Sequence, residues 1–126
     1  MVVDASSVIA LFLPDEDAPS ALTGDRLLGS IAPTLWPYEV LSALRSAEMV
    51  GRIAHDDAVL AAGALASLPI EFVHPSFQDV LDVSRMTGLS IYDSSYLALA
   101  RSSGLPLATQ DRELASAATA LGVATA

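Results

Sequence analysis

Apolar residues are distributed along the chain in two kinds of segment. Short apolar runs occur after the initiator methionine and near residues 31, 71 and 107, and longer segments with helical spacing lie between them. The short runs are apolar without alternation, which is typical of strands that helices cover on both faces. The pattern therefore predicts an α/β sandwich built on a short parallel sheet.

The predicted elements alternate along the chain. The strands are VVD, SIAPT, PIEFVHP and LPLATQD, with VATA as a candidate last strand. The helices are SSVIALFL, ALTGDRLLG, WPYEVLSALRSAEMVG, HDDAVLAAGALASL, SFQDVLDVSRMTG, SIYDSSYLALARSSG and RELASAATALG, and PDEDAPS is predicted to be a break. Pro37 suits a first helical turn, and Gly51, Gly88 and Gly104 suit helix ends. No repeat or long linker interrupts this order, so residues 1–126 are predicted to form a single domain.

Composition restricts the class of protein. Apolar residues make up 52% of the 126 residues, which suits a folded core. The absence of cysteine excludes disulfides and thiolate zinc sites. The start MVVDASS has no basic n-region, and no apolar run approaches the roughly 20 residues that span a bilayer. We therefore expect a cytoplasmic location and no membrane partner.

The net charge of −9, with six arginines and no lysine, bears on partners. Affinity for nucleic acid comes largely from neutralising phosphates, so a binder that works through a basic patch is disfavoured. An enzyme that clusters carboxylates around divalent cations is affected less. The acidic balance therefore directs attention to where the carboxylates lie.

Three acids follow predicted strands. Asp4 ends the first strand, Glu39 lies in the first turn after SIAPT, and Asp111 follows LPLAT. Because a parallel sheet places all its strand carboxyl ends at one edge, these residues should converge there. Asp93 heads the segment SIYDSSYLALA, and a turn rather than a strand precedes it, so its position at the same edge is an inference.

Two interpretations of these acids remain open. Any single acid at a helix start is commonly a cap, and Ser90 with Asp93 has the S-x-x-D form of a capping box. Four carboxylates at one edge would instead repel each other unless cations neutralised them. Oxygen-only ligands suit Mg²⁺ or Mn²⁺, and such a site suits phosphodiester hydrolysis.

Three segments of the chain resemble, in order and spacing, the PIN-domain ribonucleases, and among them the VapC-type toxins of toxin–antitoxin modules. The segments are VVDASSVIALFL, WPYEVLSALRSAEMVGRI and YDSSYLALARSSGLPLATQDRELASAATALGV. The last is the most specific, because it combines Y-D-x-x-Y-x-x-x-A with L-P-L-x-T-x-D-x-x-L. The resemblance extends from residue 2 to about residue 123.

The resemblance implies a three-layer α/β/α sandwich and a Mg²⁺-dependent endoribonuclease, in which Mn²⁺ can substitute. The family cleaves single-stranded or loop regions of RNA, such as those of tRNA or rRNA, and leaves 5′-phosphate and 3′-hydroxyl ends. It also implies a homodimer and a small antitoxin that covers a hydrophobic groove. The family's catalytic, metal-binding acids fall on Asp4, Glu39, Asp93 and Asp111.

Other polar residues are secondary candidates. Ser6 and Thr109 match hydroxyl residues that would orient carboxylates or bound water in the family, and both could equally be capping residues. Arg112, which directly follows Asp111, is a candidate for phosphate contact. His55 and His74 match no motif position and are expected to be structural. Trp36 and Tyr38 are expected in the core or at an interface.

Two other functions remain as alternatives. An aspartyl phosphatase-like phosphohydrolase also begins with an apolar strand that ends in Asp. It needs a second acid, where this chain has Ser6, and a later lysine, which this chain lacks. A non-catalytic module that only binds a partner is the second alternative. The near absence of a polar face in VLAAGALASL and SSYLALA predicts association with another protein chain, whichever function is right.

Overall fold

The computed structural model describes residues 1–14, 16, 22 and 24–126. Its strands are β1 (Val2–Val3), β2 (Ser30–Pro33), β3 (Ile70–Val73) and β4 (Leu107–Ala108). Its α-helices are α1 (Ala5–Ile9), α2 (Trp36–Met49), α3 (His55–Ala66), α4 (Phe77–Thr87), α5 (Ile91–Ser103) and α6 (Arg112–Ala120), and a 3₁₀ turn spans Gly24–Leu27. No helix within these ranges is long and apolar enough to cross a membrane.

The four strands form one parallel sheet in the order β3-β2-β1-β4. Parallel crossovers are right-handed. The chain moves one way from β1 to β3 and the other way from β3 to β4, so α1–α3 and α4–α6 must lie on opposite faces. The contacts agree, because α2 packs on α1 and α3, whereas α5 packs on α4 and α6. The predicted three-layer α/β/α sandwich is confirmed.

The strand order reverses direction between β1 and β4. At such a switch point the connections leave in opposite directions and open a crevice beyond the carboxyl ends of the strands. Val2 pairs with Leu107 and Val3 with Ala108, so the two strands end level with each other. The residues that follow them are therefore brought together at this edge.

Helix α5 packs on β1, β2 and β4 as well as on α4 and α6. Every residue from Ser94 to Ala100 is buried. This explains why its sequence has almost no polar face. Helix α3 differs, because its Val59 and Leu60 are exposed.

Some elements are shorter than the sequence pattern predicts. Helix α1 stops at Ile9, where Leu11 and Phe12 donate to carbonyls three residues back and Pro14 prevents continuation. Strand β4 ends at Ala108, and VATA contributes only one bridge, between Thr125 and Leu107. Of the predicted helix ALTGDRLLG, residues 24–29 lie in a continuous described stretch, and they contain only the 3₁₀ turn Gly24–Leu27. The predicted break PDEDAPS lies mostly outside the described residues.

Candidate active site

Asp4 is the most buried acid of the site. It follows β1 directly and only 6% of it is exposed. Its Oδ2 accepts two hydrogen bonds, from Ser6 Oγ at 2.6 Å and from Thr109 Oγ1 at 2.7 Å. The nearby Ala5 backbone N–H also acts to lower the pKa of this carboxyl group. These donors compensate part of the cost of burying a carboxylate.

The two hydroxyl groups also accept hydrogen bonds from the backbone of the loop after β4. Ser6 Oγ accepts from the Gln110 N–H at 3.1 Å, and Thr109 Oγ1 accepts from the Asp111 N–H at 3.0 Å. Each hydroxyl therefore accepts from the backbone and donates its single proton to Asp4. This network ties the end of β1 to the loop after β4. It also explains why β4 ends at Ala108, since Thr109 begins a hydroxyl-stabilised turn.

Asp111 is an exposed acid at the start of α6. It is the N-cap, and its Oδ1 accepts the Leu114 N–H at 2.9 Å. The capping interpretation is therefore right for this residue. Capping uses Oδ1 and leaves Oδ2 available for other interactions.

Glu39 reaches the site from the opposite helical layer. It lies in the first turn of α2, after β2. Its Oε1 accepts a 2.6 Å hydrogen bond from the hydroxyl of Tyr96 on α5. Burial raises the pKa of Tyr96, with the Glu39 carboxylate contributing, so the phenol stays protonated and donates.

Asp93 lies in the first turn of α5, where Ser90 is the N-cap. Ser90 Oγ accepts the Asp93 N–H at 3.1 Å, as the capping motif predicts. The Asp93 carboxyl is half-buried and lies close enough to Asp111 and Asp4 to be affected by their charges. Asp93 therefore belongs both to a helix start and to the acidic cluster.

The pKa values of three acids reflect this convergence. Burial is the largest cause that raises the pKa of Asp4, Glu39 and Asp93. Charge repulsion adds to it: Asp111 acts on Asp4 and on Asp93, and both Asp4 and Asp93 act on Glu39. The structure thus brings the four predicted acids into one electrostatically coupled cluster.

The donor chemistry of this cluster fits a divalent cation. Carboxylate oxygens are the ligands that Mg²⁺ and Mn²⁺ prefer, and a cation would relieve the repulsion. Within the described residues no three Asp, Glu or His side chains are arranged so that they could hold one ion as they stand. Mg²⁺ commonly binds through one or two carboxylates and several waters, so the cluster does not need a closed cage.

Two residues of the site were not identified from the sequence. Tyr96 belongs to the Y-D-x-x-Y motif, but the sequence alone assigned it no role in the site. Its spacing from Asp93 places both residues on one helical face. Glu113 lies in the first turn of α6 and its charge helps to raise the pKa of Asp93. The signal for Glu113 was its position two residues after Asp111.

The remaining candidates lie outside the hydrogen-bond network of the acids. Arg112 is exposed at the first position of α6 and forms no ion pair with any described residue. His55 Nδ1 lies 3.0 Å from Glu48 Oε1, and His74 Nδ1 lies 3.2 Å from Thr34 Oγ1. Both histidines are exposed. Trp36 is buried in the core, whereas Tyr38 is exposed.

This sheet order, with carboxylates collected at the β1–β4 switch point, is the architecture of a PIN domain. The family model described as "PIN domain" matches residues 1–120. The chain belongs to the PIN-domain family, as its sequence motifs indicate. This family assignment does not support the aspartyl phosphatase alternative.

Among curated proteins, the chain is similar to Ribonuclease VapC3 of Pyrobaculum aerophilum, with 30% identity over 91% of this chain and 92% of VapC3. It is also similar to Exonuclease VapC9 of the same organism, with 55% identity over 40 residues, which are 32% of this chain and 30% of VapC9.

Two solved structures share the fold. PAE2754 of Pyrobaculum aerophilum superimposes with a TM-score of 0.72 and 30% identity, covering 92% of this chain and 82% of PAE2754. VapC20 of Mycobacterium tuberculosis, a toxin that cleaves the sarcin–ricin loop, superimposes with a TM-score of 0.58 and 17% identity, covering 92% of this chain and 93% of VapC20.

Proposed function

We propose that this protein is a Mg²⁺-dependent endoribonuclease and the toxin component of a type II toxin–antitoxin system, with Mn²⁺ able to replace Mg²⁺. The observation that carries the proposal is the cluster of Asp4, Glu39, Asp93 and Asp111 at the switch point of a PIN fold. The similarity to Ribonuclease VapC3 over nearly the whole chain supports RNA as the substrate.

Each polar residue has a distinct part in this proposal. Asp4, Glu39, Asp93 and Asp111 would hold the cation directly or through its bound waters. The bound cation would supply an activated water and neutralise charge at phosphorus. Ser6 and Thr109 orient Asp4 through its Oδ2, so that Oδ1 is the oxygen left for the cation. Arg112 is exposed beside Asp111, and we propose that it contacts an RNA phosphate.

The proposed protein partners follow from exposed apolar surface. Besides RNA, we propose two protein partners. A small antitoxin would cover exposed side chains on α3 such as Leu60, and a second copy of the chain would cover Phe77, Leu81 and Ile91 on α4–α5. We further propose that residues 1–126 act as one domain in the cytoplasm.

Exonucleolytic cleavage is a second candidate because one relative is named an exonuclease, although the match covers only 40 residues. The two activities differ in whether the enzyme needs an RNA end. A closed circular RNA separates them, since an endonuclease linearises it and an exonuclease leaves it intact.

The test uses purified protein stripped of any partner, with circular and linear RNA of the same sequence. Cleavage of both forms with Mg²⁺ or Mn²⁺, its loss with EDTA, and its loss in Asp93→Asn would support the proposal. Asp56→Asn is the matched control, because Asp56 is also an acid in the first turn of a helix, α3. Equal cleavage by the wild type and Asp93→Asn, or cleavage that persists in EDTA, would contradict the proposal.

A further inference from the structure

The four acids of the cluster differ in how their carboxylates are held. Asp4 accepts from two hydroxyl groups, and Asp111 accepts from the backbone of its own helix. Glu39 has a longer side chain with more rotatable bonds. Within the described residues, the hydroxyl of Tyr96 supplies its one hydrogen bond.

Tyr96 itself is rigidly placed. It is fully buried on α5, one helical turn after Asp93, and α5 packs against both β1 and β2. Its 2.6 Å bond to Glu39 Oε1 joins residues that are 57 positions apart in the sequence. A buried phenol needs an acceptor, and a half-buried carboxylate with free rotamers needs an anchor.

Building on the proposed function, we infer that Tyr96 is a positioning residue that fixes Oε1 of Glu39 and leaves Oε2 as the oxygen available to the divalent cation. Tyr96 and Asp93 lie three residues apart on α5. This helix therefore supplies one acid directly and orients a second acid that belongs to α2. The D-x-x-Y spacing is thereby explained by the site as well as by core packing.

A purely structural role makes a different prediction. If Glu39 served only as the acceptor that satisfies a buried phenol, loss of the hydroxyl would change stability but would not change cation affinity. The experiment must therefore measure cation binding directly, without relying on RNA cleavage.

The first measurement is Mn²⁺ binding to the full chain, followed by the electron paramagnetic resonance signal of free Mn²⁺. Tyr96→Phe keeps the ring and removes the hydroxyl, and we expect affinity to fall about tenfold, as for other groups that orient metal ligands. Tyr92→Phe is the matched control, since Tyr92 is exposed on the same helix next to Asp93. In a Glu39→Ala background, Tyr96→Phe should cause no further loss.

A second measurement avoids removing the hydroxyl. The chain has three tyrosines, so Tyr38→Phe with Tyr92→Phe leaves Tyr96 alone. Incorporation of 3-fluorotyrosine then gives a ¹⁹F signal at the proposed anchor. We expect Mg²⁺ to shift this signal with the same saturation curve as binding, and to leave it unmoved in Glu39→Ala.

The outcomes separate this inference from the proposed function. Two results would overturn the positioning role, provided that Asp93→Asn still weakens Mn²⁺ binding. One is unchanged Mn²⁺ affinity in Tyr96→Phe, and the other is a ¹⁹F signal that does not shift when Mg²⁺ is added. If neither Asp4→Asn nor Asp93→Asn weakens Mn²⁺ binding, the proposed metal site itself fails. Reduced affinity in Tyr96→Phe with wild-type affinity in Tyr92→Phe supports the role.

Discussion

At the scale of single residues, the site depends on two hydroxyl groups, each of which donates its single proton to Asp4. Ser6 and Thr109 accept from backbone N–H groups and donate to the same oxygen of Asp4. Both donations favour the ionised carboxylate, against the burial that raises its pKa. The hydroxyl groups therefore offset part of the effect of burial and favour the charged form that a cation needs.

Thr109→Val tests this arrangement because valine keeps the shape of threonine and lacks its hydroxyl. The pKa of Asp4 should rise further, so the acidic limb of the pH–rate profile should move to higher pH. At neutral pH we expect RNA cleavage to fall by roughly tenfold or more. Thr119→Val is the control, since Thr119 is exposed on α6 and donates only to the Ala115 carbonyl. An unshifted acidic limb in Thr109→Val would contradict this account.

At the scale of helices and strands, the sequence pattern predicted most of the fold. Strands β1, β2 and β3 and helices α2–α6 lie where apolar spacing, Pro37, Ser76, Gly88 and Gly104 place them. The shortening of α1 and β4 was not predicted. It depends on Pro14 and on hydrogen bonds to Thr109, which compete with continued helix or strand.

The site could likewise be predicted only as far as it depends on topology and not on specific tertiary contacts. Acids that follow strands could be assigned to one edge because parallel topology alone brings them there. The anchor of Glu39 could not, because a contact between Tyr96 and Glu39 depends on how α5 and α2 pack against the sheet. Periodicity within one helix carries no information on that distance.

The start of α5 gives a prediction about stability. The pKa of Asp93 is raised in the folded state, so between the unfolded and folded pKa values the folded state binds more protons. The contribution of Asp93 therefore lowers the free energy of unfolding as pH rises from about 4. Asp93→Asn should be more stable than the wild type at pH 7.5 in EDTA, and this advantage should shrink at pH 4.

Urea unfolding at both pH values measures this difference. Mg²⁺ should reduce the advantage of Asp93→Asn at pH 7.5, because cation binding stabilises the wild type. Asp56→Asn, at the start of α3, should give no such gain. A variant that is less stable than the wild type at pH 7.5 in EDTA would mean that the favourable interaction of the Asp93 carboxylate with the N-terminus of α5 outweighs the repulsion.

At the scale of the whole molecule, exposed apolar side chains gather where α4 and α5 pack together. Phe77, Leu81 and Ile91 line a groove of about 420 Å³, and Phe77 is 89% exposed. We name these three residues the α4–α5 patch. Its position at the start of α5 would bring a second copy of the chain close to the acidic cluster.

Phe77→Glu tests association through the α4–α5 patch. We expect the wild type to sediment as a dimer and Phe77→Glu to sediment as a monomer in analytical ultracentrifugation, because a carboxylate would be buried without a partner. Leu60→Glu, on the exposed face of α3, should remain a dimer. A dimer that survives in Phe77→Glu would assign self-association to another surface.

The net charge gives the last prediction. Most nucleic-acid-binding proteins lose affinity steeply as salt rises, because basic side chains release counterions from phosphates. Here the chain carries −9, so long-range repulsion opposes the encounter with RNA, and salt screens that repulsion. Between about 10 and about 100 mM NaCl the Debye length falls from about 30 to about 10 Å. Over this range, with free Mg²⁺ held constant, we expect kcat/KM for a short RNA to rise or stay level. A steep fall would instead mean that local arginines such as Arg112 dominate binding, and Arg112→Gln should then flatten the dependence.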